Sequence, residues 1–436
     1  MRIEIPKPVE WILGELKSHG YEAYAVGGCV RDTLLGRTPG DWDITTSAKP
    51  QEVKAVFGRT IDTGLQHGTV TVMRDHVGYE ITTYRIDGEY ADGRHPKEVA
   101  FTSNLEEDLK RRDFTINAMA YSPETGIVDI FGGVEDLRRG VIRCVGIARE
   151  RFTEDALRIL RAIRFSAQLD FSIEEETWRA LSEIAPNLAH VSKERIAVEL
   201  TKILLSGYPE RILMTRETGM TPFISKSFAL VLRDALPAGE EQREKEKIRL
   251  LRAADLPAKK AVRWAAFLAE AGEEMTQRIL KELKLDNDTI TKARTLVRWY
   301  EAKLPSNHRV PRENAVWLRR VMSSMPDEVF EDLLLFWEIL RPEEKGTLEL
   351  LKTLEADIRM RGDCIRLKQL AVDGSDLLAL GIARGPALGK TLNRLFTLVL
   401  EHPEWNQREI LLKKAGECRP PSESDPASGE SPEGKQ

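Results

Sequence analysis

One short run near the start of the chain constrains its fold more than any other feature. An apolar stretch leads into Gly27 and Gly28, then into a helix-favouring segment that carries Arg31. Ten residues further on, Asp41 and Asp43 stand at positions i and i+2 before an apolar residue. Alternate residues of a strand project from one face, so both carboxylates can share a pair of Mg²⁺ ions. Because glycines ahead of a helix let backbone N–H groups approach a phosphate, the run predicts a site for phosphoryl or nucleotidyl transfer.

An Asp-x-Asp pair taken alone is usually a pair of turn acids, but its spacing from Gly-Gly-x-Val-Arg-Asp reverses that interpretation. The combination resembles the nucleotidyltransferase superfamily that includes DNA polymerase β. It is most similar to the class II tRNA nucleotidyltransferases (CCA-adding enzymes) and to bacterial poly(A) polymerases, from about Tyr24 to about Leu412. The resemblance implies an α+β fold. An N-terminal nucleotidyltransferase head, a mixed β-sheet with helices, would be followed by all-helical neck, body and tail domains.

Hydrophobic periodicity agrees with this division. Up to about residue 135, short apolar or β-branched stretches alternate with turns, and after Thr153 apolar residues recur every three or four positions. The expected helices span 6–18 and begin near Gly28, and the expected strands are 23–26, 42–45, 69–73, 79–83 and 127–130. The expected domains are a catalytic head (1–138), a base-recognising neck (139–200), a helical body (201–320), a tRNA-binding tail (321–418) and a disordered terminus (419–436).

Composition sets the broad class of protein. The chain has 436 residues, of which 42% are hydrophobic and 31% charged, enough for two to four domains with a solvated surface. It has no apolar run near the ~20 residues that cross a bilayer, no signal-peptide pattern and no metal-ligand spacing of cysteines. We therefore expect a cytoplasmic protein without membrane contact. The net charge of −5 does not indicate nucleic-acid binding, but eight arginines against three acids between Arg138 and Arg164 form a local basic patch.

A third carboxylate is expected near the acidic pair. Glu80 lies in a β-favouring run and matches the acid that the resembled superfamily places on a neighbouring strand. The structural alternative is a cross-strand partner for an arginine such as Arg85. The resemblance implies that Asp41, Asp43 and Glu80 are catalytic and that Asp41 and Asp43 hold the cofactor, Mg²⁺.

A second motif, Arg-Arg-Asp-Phe-Thr-x-Asn-Ala, occupies 111–118. On composition it is a surface ion-pair cluster at a helix end, yet it resembles the family's second motif nearly letter for letter. The resemblance implies that Arg112 contacts the triphosphate or ribose, because a guanidinium binds such oxygens at two points. Asp113 would bind the ribose hydroxyls and favour ribonucleotides, while Gly28 and Arg31 cradle the phosphates.

A third motif carries base recognition. Asp155, Arg158, Arg161 and Arg164 recur every three residues and predict a stripe on one side of a helix capped by Thr153. The structural alternative is a weak surface ion pair between the first two. In the class II enzymes that it resembles, the carboxylate accepts from an exocyclic amino group and the guanidinium donates to a ring acceptor. Cytosine and adenine offer that edge, whereas uracil and guanine reverse it. The resemblance implies that Arg161 and Arg164 support this base-reading pair or contact phosphate.

Three further segments refine the expectation. The loop 89–96 resembles a flexible loop that CCA- and A-adding relatives keep, although it could be an ordinary hairpin loop. Ala269 and Glu270 stand where some relatives carry the His-Asp of a metal phosphohydrolase, and no histidine lies between His190 and His308. We therefore expect a structural remnant there. The run 372–390 resembles the tail that grips the tRNA elbow, or is simply a helical packing unit.

The resemblance implies template-independent addition of C, C and A from CTP and ATP to the tRNA 3′ end, with release of pyrophosphate. The expected partners are the tRNA acceptor arm and elbow, CTP and ATP, and the oligomeric state stays open. An A-adding tRNA nucleotidyltransferase and a bacterial poly(A) polymerase share these motifs. The moderate length argues against the polymerase. A catalytically silent RNA-binding protein is the more remote alternative, which the intact acidic motifs oppose.

Overall fold

The computed structural model describes residues 2–87, 99–232, 240–305 and 311–417. The chain forms two compact units, Met1–Arg298 and Trp299–Gln436. Two expectations, the flexible loop at 89–96 and the disordered terminus at 419–436, lie outside the described residues. The domain boundaries near 138, 200 and 320 stay predictions.

The first unit contains the strands. They are β1 (Ala23–Val26), β2 (Ile44–Thr46), β3 (Thr60–Gly64), β4 (Thr69–Arg74), β5 (Val77–Thr83), β6 (Arg85–Asp87), β7 (Val99–Phe101), β8 (Met119–Ser122), β9 (Gly126–Asp129), β10 (Val141–Ile142) and β11 (Ser172–Ile173). Seven form one mixed sheet in the order β3-β4-β5-β2-β1-β8-β9. Its neighbouring strands are antiparallel except for β2 and β5, which run parallel with Ile44 opposite Ile81. The β6–β7 and β10–β11 pairs form two small separate sheets.

Helices make up most of the rest of the first unit. They are α1 (Lys7–Ser18), α2 (Gly28–Leu34), α3 (Pro50–Val56), α4 (Leu105–Lys110), α5 (Gly133–Arg139), α6 (Ala148–Glu154), α7 (Leu157–Leu169), α8 (Glu175–Ile184), α9 (Lys193–Leu204), α10 (Met214–Glu217), α11 (Thr221–Ile224), α12 (Lys226–Leu232), α13 (Glu240–Ala253), α14 (Lys260–Phe267), α15 (Glu273–Glu282) and α16 (Asn287–Tyr300). The last two residues of α16 belong to the second unit.

The second unit is helical throughout its described residues. Its helices are α17 (Pro311–Ser323), α18 (Asp327–Leu340), α19 (Lys345–Arg361), α20 (Gly374–Ala379), α21 (Pro386–Glu401) and α22 (Arg408–Glu417). Leu377, Leu395 and Val399 belong to a buried cluster that holds the last three helices together. As the sequence predicts, α21 opens after a glycine, Gly385, with proline at its first position.

The α+β fold class predicted from the sequence is confirmed: a mixed-sheet head precedes an almost entirely helical remainder. The two expected N-terminal helices form, and each expected strand is present within about two residues. The strands β3, β6, β7, β8 and β10 were missed. So was β11, a two-residue strand inside the region expected to be all helical. None of the described helices is both long and apolar enough to span a membrane.

The segment expected to be a phosphohydrolase remnant contains no local histidine and is tightly packed. Ala269 is fully buried, and the carboxylate of Glu270 pairs with Arg249 from α13 at 2.5 Å. Nearby, the buried Arg263 of α14 donates to the carbonyl oxygens of Ala254 and Leu256, both at 2.9 Å. These arginines tie helix ends together, so their arrangement explains packing without invoking a second reaction.

Candidate active site

One cavity of about 720 Å³ in the first unit collects nearly all the residues singled out in the sequence. This volume is adequate for a nucleotide, since small-molecule sites usually occupy several hundred Å³. The predicted site residues that line it are Gly28, Arg31, Asp41, Asp43, Arg112, Asp113, Asp155, Arg158, Arg161 and Arg164. Of the predicted residues, only Glu80 lies outside the lining. Walls from the sheet, α2, α7 and α9 thus meet at one place.

The glycine turn is shaped to accommodate a guanidinium. Gly27 has φ of +83°, and its N–H donates to the carbonyl oxygen of Met119 on β8 at 3.1 Å. A Cβ at Gly27 would lie 3.0 Å from Nη1 of Arg112. Glycine is therefore required twice, once for the backbone conformation and once for the close approach of Arg112.

Replacing Gly27 with alanine is expected to lower kcat/KM for the nucleotide transfer that the sequence predicts at least tenfold, roughly what one lost charged hydrogen bond costs, by displacing Arg112. Gly36→Ala is the matched control, because Gly36 also has positive φ but a Cβ there meets nothing within 4 Å. Both variants should lose about 1 kcal/mol of unfolding free energy from backbone strain, measured by urea denaturation. Equal activities of the two variants would contradict the role given to the close approach.

The acidic pair lies at the entrance to β2 rather than inside it. Ile44 is the first residue of β2, so the expectation that Asp41 and Asp43 sit within the strand is corrected. The carbonyl oxygen of Asp43 nevertheless accepts from the N–H of Val26 at 2.9 Å, which extends the β1–β2 ladder by one bond. Backbone pairing with a central strand therefore fixes the position of Asp43, while both carboxylates stay open to solvent.

Negative charge accumulates at this pair. The cavity walls remove part of the hydration of Asp43, which raises the pKa of its carboxyl group, and repulsion from Asp41 raises it further. Arg112 opposes the shift, and Glu80 on β5 adds to it, so Glu80 is electrically close although it does not line the cavity. In the described part of the chain, no three His, Cys, Asp or Glu side chains gather closely enough to hold an ion. An oxygen-only pair with surplus negative charge nevertheless fits a hard divalent cation that also takes ligands from a substrate.

Arg112 faces the cavity from a rigid support. Its Nη2 lies 3.4 Å from Oδ2 of Asp108, a fully buried carboxylate. Burial alone would raise the pKa of Asp108, but Arg111 and Arg112 outweigh it and hold the pKa below its usual range. The Nε of Arg112 is buried and has no hydrogen-bond partner among the described residues. Arg112 also lines the cavity, so other atoms of its guanidinium are placed to bind a phosphate or ribose oxygen.

Asp113 is held from several sides. Its Oδ1 accepts from the N–H of Phe114 at 2.9 Å and from Nδ2 of Asn117 at 3.2 Å. Its Oδ2 accepts from Nε of Arg161 at 2.7 Å. Burial alone would raise the pKa of Asp113, yet Arg161 and Arg158 hold it well below its usual range. The carboxylate of Asp113 is therefore ionised and fixed in position, and it orients Arg161 in the folded chain.

The expected base-recognising residues lie where α6 ends and α7 begins. The expectation that Asp155 lies inside a helix capped by Thr153 is wrong. Thr153 belongs to the last turn of α6, and its hydroxyl donates to the backbone carbonyl oxygen of Arg149. Asp155 is the extended residue between the two helices, and its Oδ1 accepts from the N–H of Leu157 at 3.0 Å. The break turns the Asp155 carboxylate towards the cavity, with Oδ2 paired to Arg195 at 2.8 Å.

Arg158 is oriented by three acceptors. Its Nη1 donates to Glu154 at 2.6 Å and to the carbonyl oxygen of Arg151 at 3.0 Å, and its Nη2 donates to the carbonyl oxygen of Arg111 at 3.0 Å. The side chain is nine-tenths buried yet lines the cavity. Because its partners hold the guanidinium plane, the donors it presents have a fixed direction, as a selective hydrogen-bonding site requires.

Arg164 has a different environment from its neighbours in the stripe. It pairs with Glu199 of α9 at 2.9 Å, and both side chains are more than nine-tenths buried. Burial lowers the pKa of Arg164 to about 10, with Arg161 adding to the effect and Glu199 opposing it. Its guanidinium also lies 4.2 Å from the ring centre of Phe165. Arg164 therefore joins α7 to α9 through Glu199.

Sequence reasoning missed several residues that line the cavity. Asn117 stands in the quoted second motif but was given no role, and Phe165 follows the third motif directly. Arg195 and Lys202 come from α9, and with Glu199 they recur at i, i+4 and i+7. That spacing marks one helix face and was the available signal, although nothing in it identifies the partners on α7.

The mixed sheet, the glycine turn and the acidic pair beside an arginine-rich cavity define a nucleotidyltransferase. Residues 23–143 match the model of the Poly A polymerase head domain. The model of an RNA and SrmB-binding site of polymerase A matches 170–230, and that of tRNA nucleotidyltransferase domain 2 matches 257–415. Together the three models reach from the catalytic sheet to the last helix.

Curated relatives are similar over nearly the whole chain. The CCA-adding enzyme of Enterococcus faecalis is 38% identical over 94% of this chain and 95% of that protein. The CCA-adding enzyme of Geobacillus stearothermophilus is 37% identical over 91% and 93%. The crystal structure of the Bacillus stearothermophilus CCA-adding enzyme in complex with CTP superimposes with a TM-score of 0.72 at 33% identity, covering 95% of this chain and 98% of that one. The chain belongs to the family of CCA-adding enzymes, and membership implies dependence on divalent metal ions in general.

Proposed function

We propose that this protein adds C, C and A to the 3′ end of tRNA, consuming CTP and ATP and releasing pyrophosphate, without a nucleic-acid template. The observation that carries the proposal is that one and the same cavity is lined by the acidic pair and by Asp155 and Arg158. The likeness to a CCA-adding enzyme solved with CTP supports it. The reaction belongs in the cytoplasm, where tRNA is processed.

The acidic pair and the basic residues divide the triphosphate chemistry between them. Asp41 and Asp43 would hold Mg²⁺, with Glu80 adding negative charge from β5. Bound Mg²⁺ would lower the pKa of the primer 3′-OH and neutralise charge on the leaving group. Gly28, Arg31 and Arg112 bind and orient the phosphates. The primer 3′-oxygen forms a bond to the α-phosphorus, and the bond from that phosphorus to the pyrophosphate oxygen breaks.

Base choice rests on the direction of hydrogen bonds. Asp155 accepts from the exocyclic amino group of cytosine or adenine, and Arg158 donates to the ring nitrogen beside it. Uracil and guanine offer a carbonyl and an N–H at those places, so an acceptor would face Asp155 and a donor would face Arg158. The helix break at Asp155 and the three acceptors around Arg158 prevent the pair from turning to suit them. Arg161 and Arg164 support the pair from α7, and Asp113 faces the ribose.

The helical domains hold the RNA. We propose a head at 1–138, a base-recognising neck at 139–200, a body at 201–320 and a tail at 321–418 that contacts the acceptor arm and elbow. Arginines of the basic patch between Arg138 and Arg164 include exposed ones, such as Arg149, suited to backbone phosphates. Binding of tRNA should therefore weaken as salt rises.

Three synthetic tRNAs test the proposal: one ending before the terminal C, C and A, one ending after both Cs, and one complete. Each is given CTP, ATP or both with Mg²⁺. Ordered addition of two Cs and one A that then stops is the expected result. Addition of A alone to the second tRNA would instead identify an A-adding enzyme, and unlimited A tracts a poly(A) polymerase. No incorporation on any of them would contradict the proposed activity.

A further inference from the structure

Asn117 joins two parts of the cavity through its side-chain amide. Its Oδ1 accepts from Nη1 of Arg31 at 2.6 Å, and its Nδ2 donates to Oδ1 of Asp113 at 3.2 Å. Oδ2 of Asp113 accepts in turn from Nε of Arg161 at 2.7 Å. A continuous run of hydrogen bonds therefore leads from α2, beside the glycine turn, to the middle of α7.

An amide is the group that this position needs. One neighbour of Asn117, the Arg31 guanidinium, is purely a donor, and the other, the ionised Asp113, purely an acceptor. A side chain that has both an acceptor and a donor satisfies both neighbours, and the amide of Asn117 presents them on two separate atoms. The partners also fix the amide orientation, since the flipped amide would face donor to donor and acceptor to acceptor. Asn117 is only 7% exposed, so water does not readily replace either bond.

The two ends of this run serve different parts of a nucleotide. Arg31 lies beside the glycines at which phosphates are proposed to bind. Arg161 lies about one helical turn from Arg158, the residue proposed to read the base. An anion at the phosphate end attracts the Arg31 guanidinium and changes the bond it gives to Asn117. Because Asp113 is shared between Asn117 and Arg161, that change alters how firmly Arg161 is held.

Phe165 provides a second contact between the same two arginines. The guanidinium carbons of Arg31 and Arg161 lie 5.1 and 5.5 Å from its ring centre. Such packing keeps the arginines at a fixed spacing but has no donor and acceptor that respond to a charge. The directional link is therefore the amide.

We propose that Asn117 is a positioning residue that couples occupation of the phosphate end of the cavity to the affinity of the base end. The inference rests on the proposed function, because it takes the two ends as the phosphate and base subsites. Its consequence is a measurable dependence of base binding on phosphate binding, which is a coupling between two sites in the thermodynamic sense.

Two fragments of the substrate test the coupling on the full-length protein. The affinity for cytidine is measured by NMR titration with and without saturating inorganic tripolyphosphate, for the wild type, Asn117→Ala and Thr115→Val. In the wild type, tripolyphosphate should change the cytidine affinity about fivefold or more, the lower range of coupling effects between sites. In Asn117→Ala the ratio of cytidine affinities with and without tripolyphosphate should be about one, which means that the two sites are not coupled.

Thr115→Val is the matched control. Thr115 belongs to the same short turn and is equally buried, but its hydroxyl donates to Asp136 at 2.7 Å, away from the cavity. It should keep the wild-type coupling, which separates loss of coupling from damage to the turn. Discrimination of CTP over UTP in the addition assay should fall about tenfold in Asn117→Ala, as expected for one lost bond to a charged group, and not in the control.

Coupling that survives in Asn117→Ala, or that is absent from the wild type, would overturn the inference. If both alanine and valine variants lose it equally, the turn as a whole and not the amide is responsible, and the inference also fails. Addition of C and A to tRNA by the wild type is measured in parallel. Its absence would contradict the proposed function itself, whereas normal addition without coupling would contradict only the role of Asn117.

Discussion

Replacing Asp41 or Asp43 with asparagine is expected to lower the rate of nucleotide addition by about 10³-fold or more. Asparagine keeps the shape but not the negative charge, so the proposed metal site loses an anionic ligand, and metal ions stabilise such reactions by several kcal/mol. The fold should tolerate the change, because the ladder bond at this position comes from the Asp43 backbone and the side-chain charges repel one another. The melting temperature should therefore stay the same or rise.

Single-turnover addition of CMP, followed with tRNA binding and thermal unfolding, measures all three consequences. Asp62→Asn is the control, since Asp62 is an exposed acid on β3 that pairs with Lys54 at 2.9 Å and does not line the cavity. It should keep wild-type activity. Near-normal addition by the Asp41 or Asp43 variants would contradict their role as metal ligands, and so would a loss of activity explained by unfolding.

Replacing Arg158 with methionine is expected to lower discrimination of CTP over UTP roughly 100-fold, because a site built to hydrogen-bond its substrate rejects the wrong edge strongly. Methionine fills much of the volume but donates nothing, so the cavity no longer penalises uracil. The substitution also removes the hydrogen bonds that Arg158 gives to Glu154 and to two carbonyl oxygens, while Glu154 keeps its pair with Arg151. We expect a loss of about 1–3 kcal/mol of unfolding free energy.

Arg263→Met separates selectivity from stability. Arg263 is likewise a buried arginine that serves backbone carbonyls, but it lies on α14 outside the cavity. Its variant should lose comparable stability while keeping the ratio of kcat/KM for CTP to that for UTP. Should the Arg158 variant keep that ratio as well, the base-reading role of Arg158 would be wrong.

Local signals in the sequence predicted the fold class and most of the cavity lining. The glycine turn, the acidic pair and the arginine stripe are short-range patterns, and short-range patterns specify turns, strands and helix faces. The strands β3 and β8 lacked such a pattern. Residues of β8 become a strand because β1 and β9 pair with them on either side, and β3 forms at the sheet edge by pairing with β4 alone. Both depend on tertiary pairing rather than on a local pattern.

The partners of the site residues could not be predicted in the same way. Asp155 is 40 residues from Arg195 along the chain, and Arg31 is 86 residues from Asn117. A single sequence contains no signal for such distances. The helix break at Asp155 was also missed, because the spacing of three residues continues through it as though one helix were present. This break matters for function because it turns the carboxylate of Asp155 towards the cavity.

The proposed roles of Asp155 and Arg158 predict that the protein itself, without a nucleic-acid template, selects cytosine and adenine. Equilibrium binding of CTP, ATP, UTP and GTP to the wild-type protein with Mg²⁺ and without any RNA tests it most directly. CTP and ATP should bind at least about tenfold more tightly than UTP and GTP, because the wrong bases place an acceptor against the Asp155 carboxylate and a donor against the Arg158 guanidinium. Equal affinities for all four nucleotides, or a preference that emerges only when RNA is added, would contradict the claim.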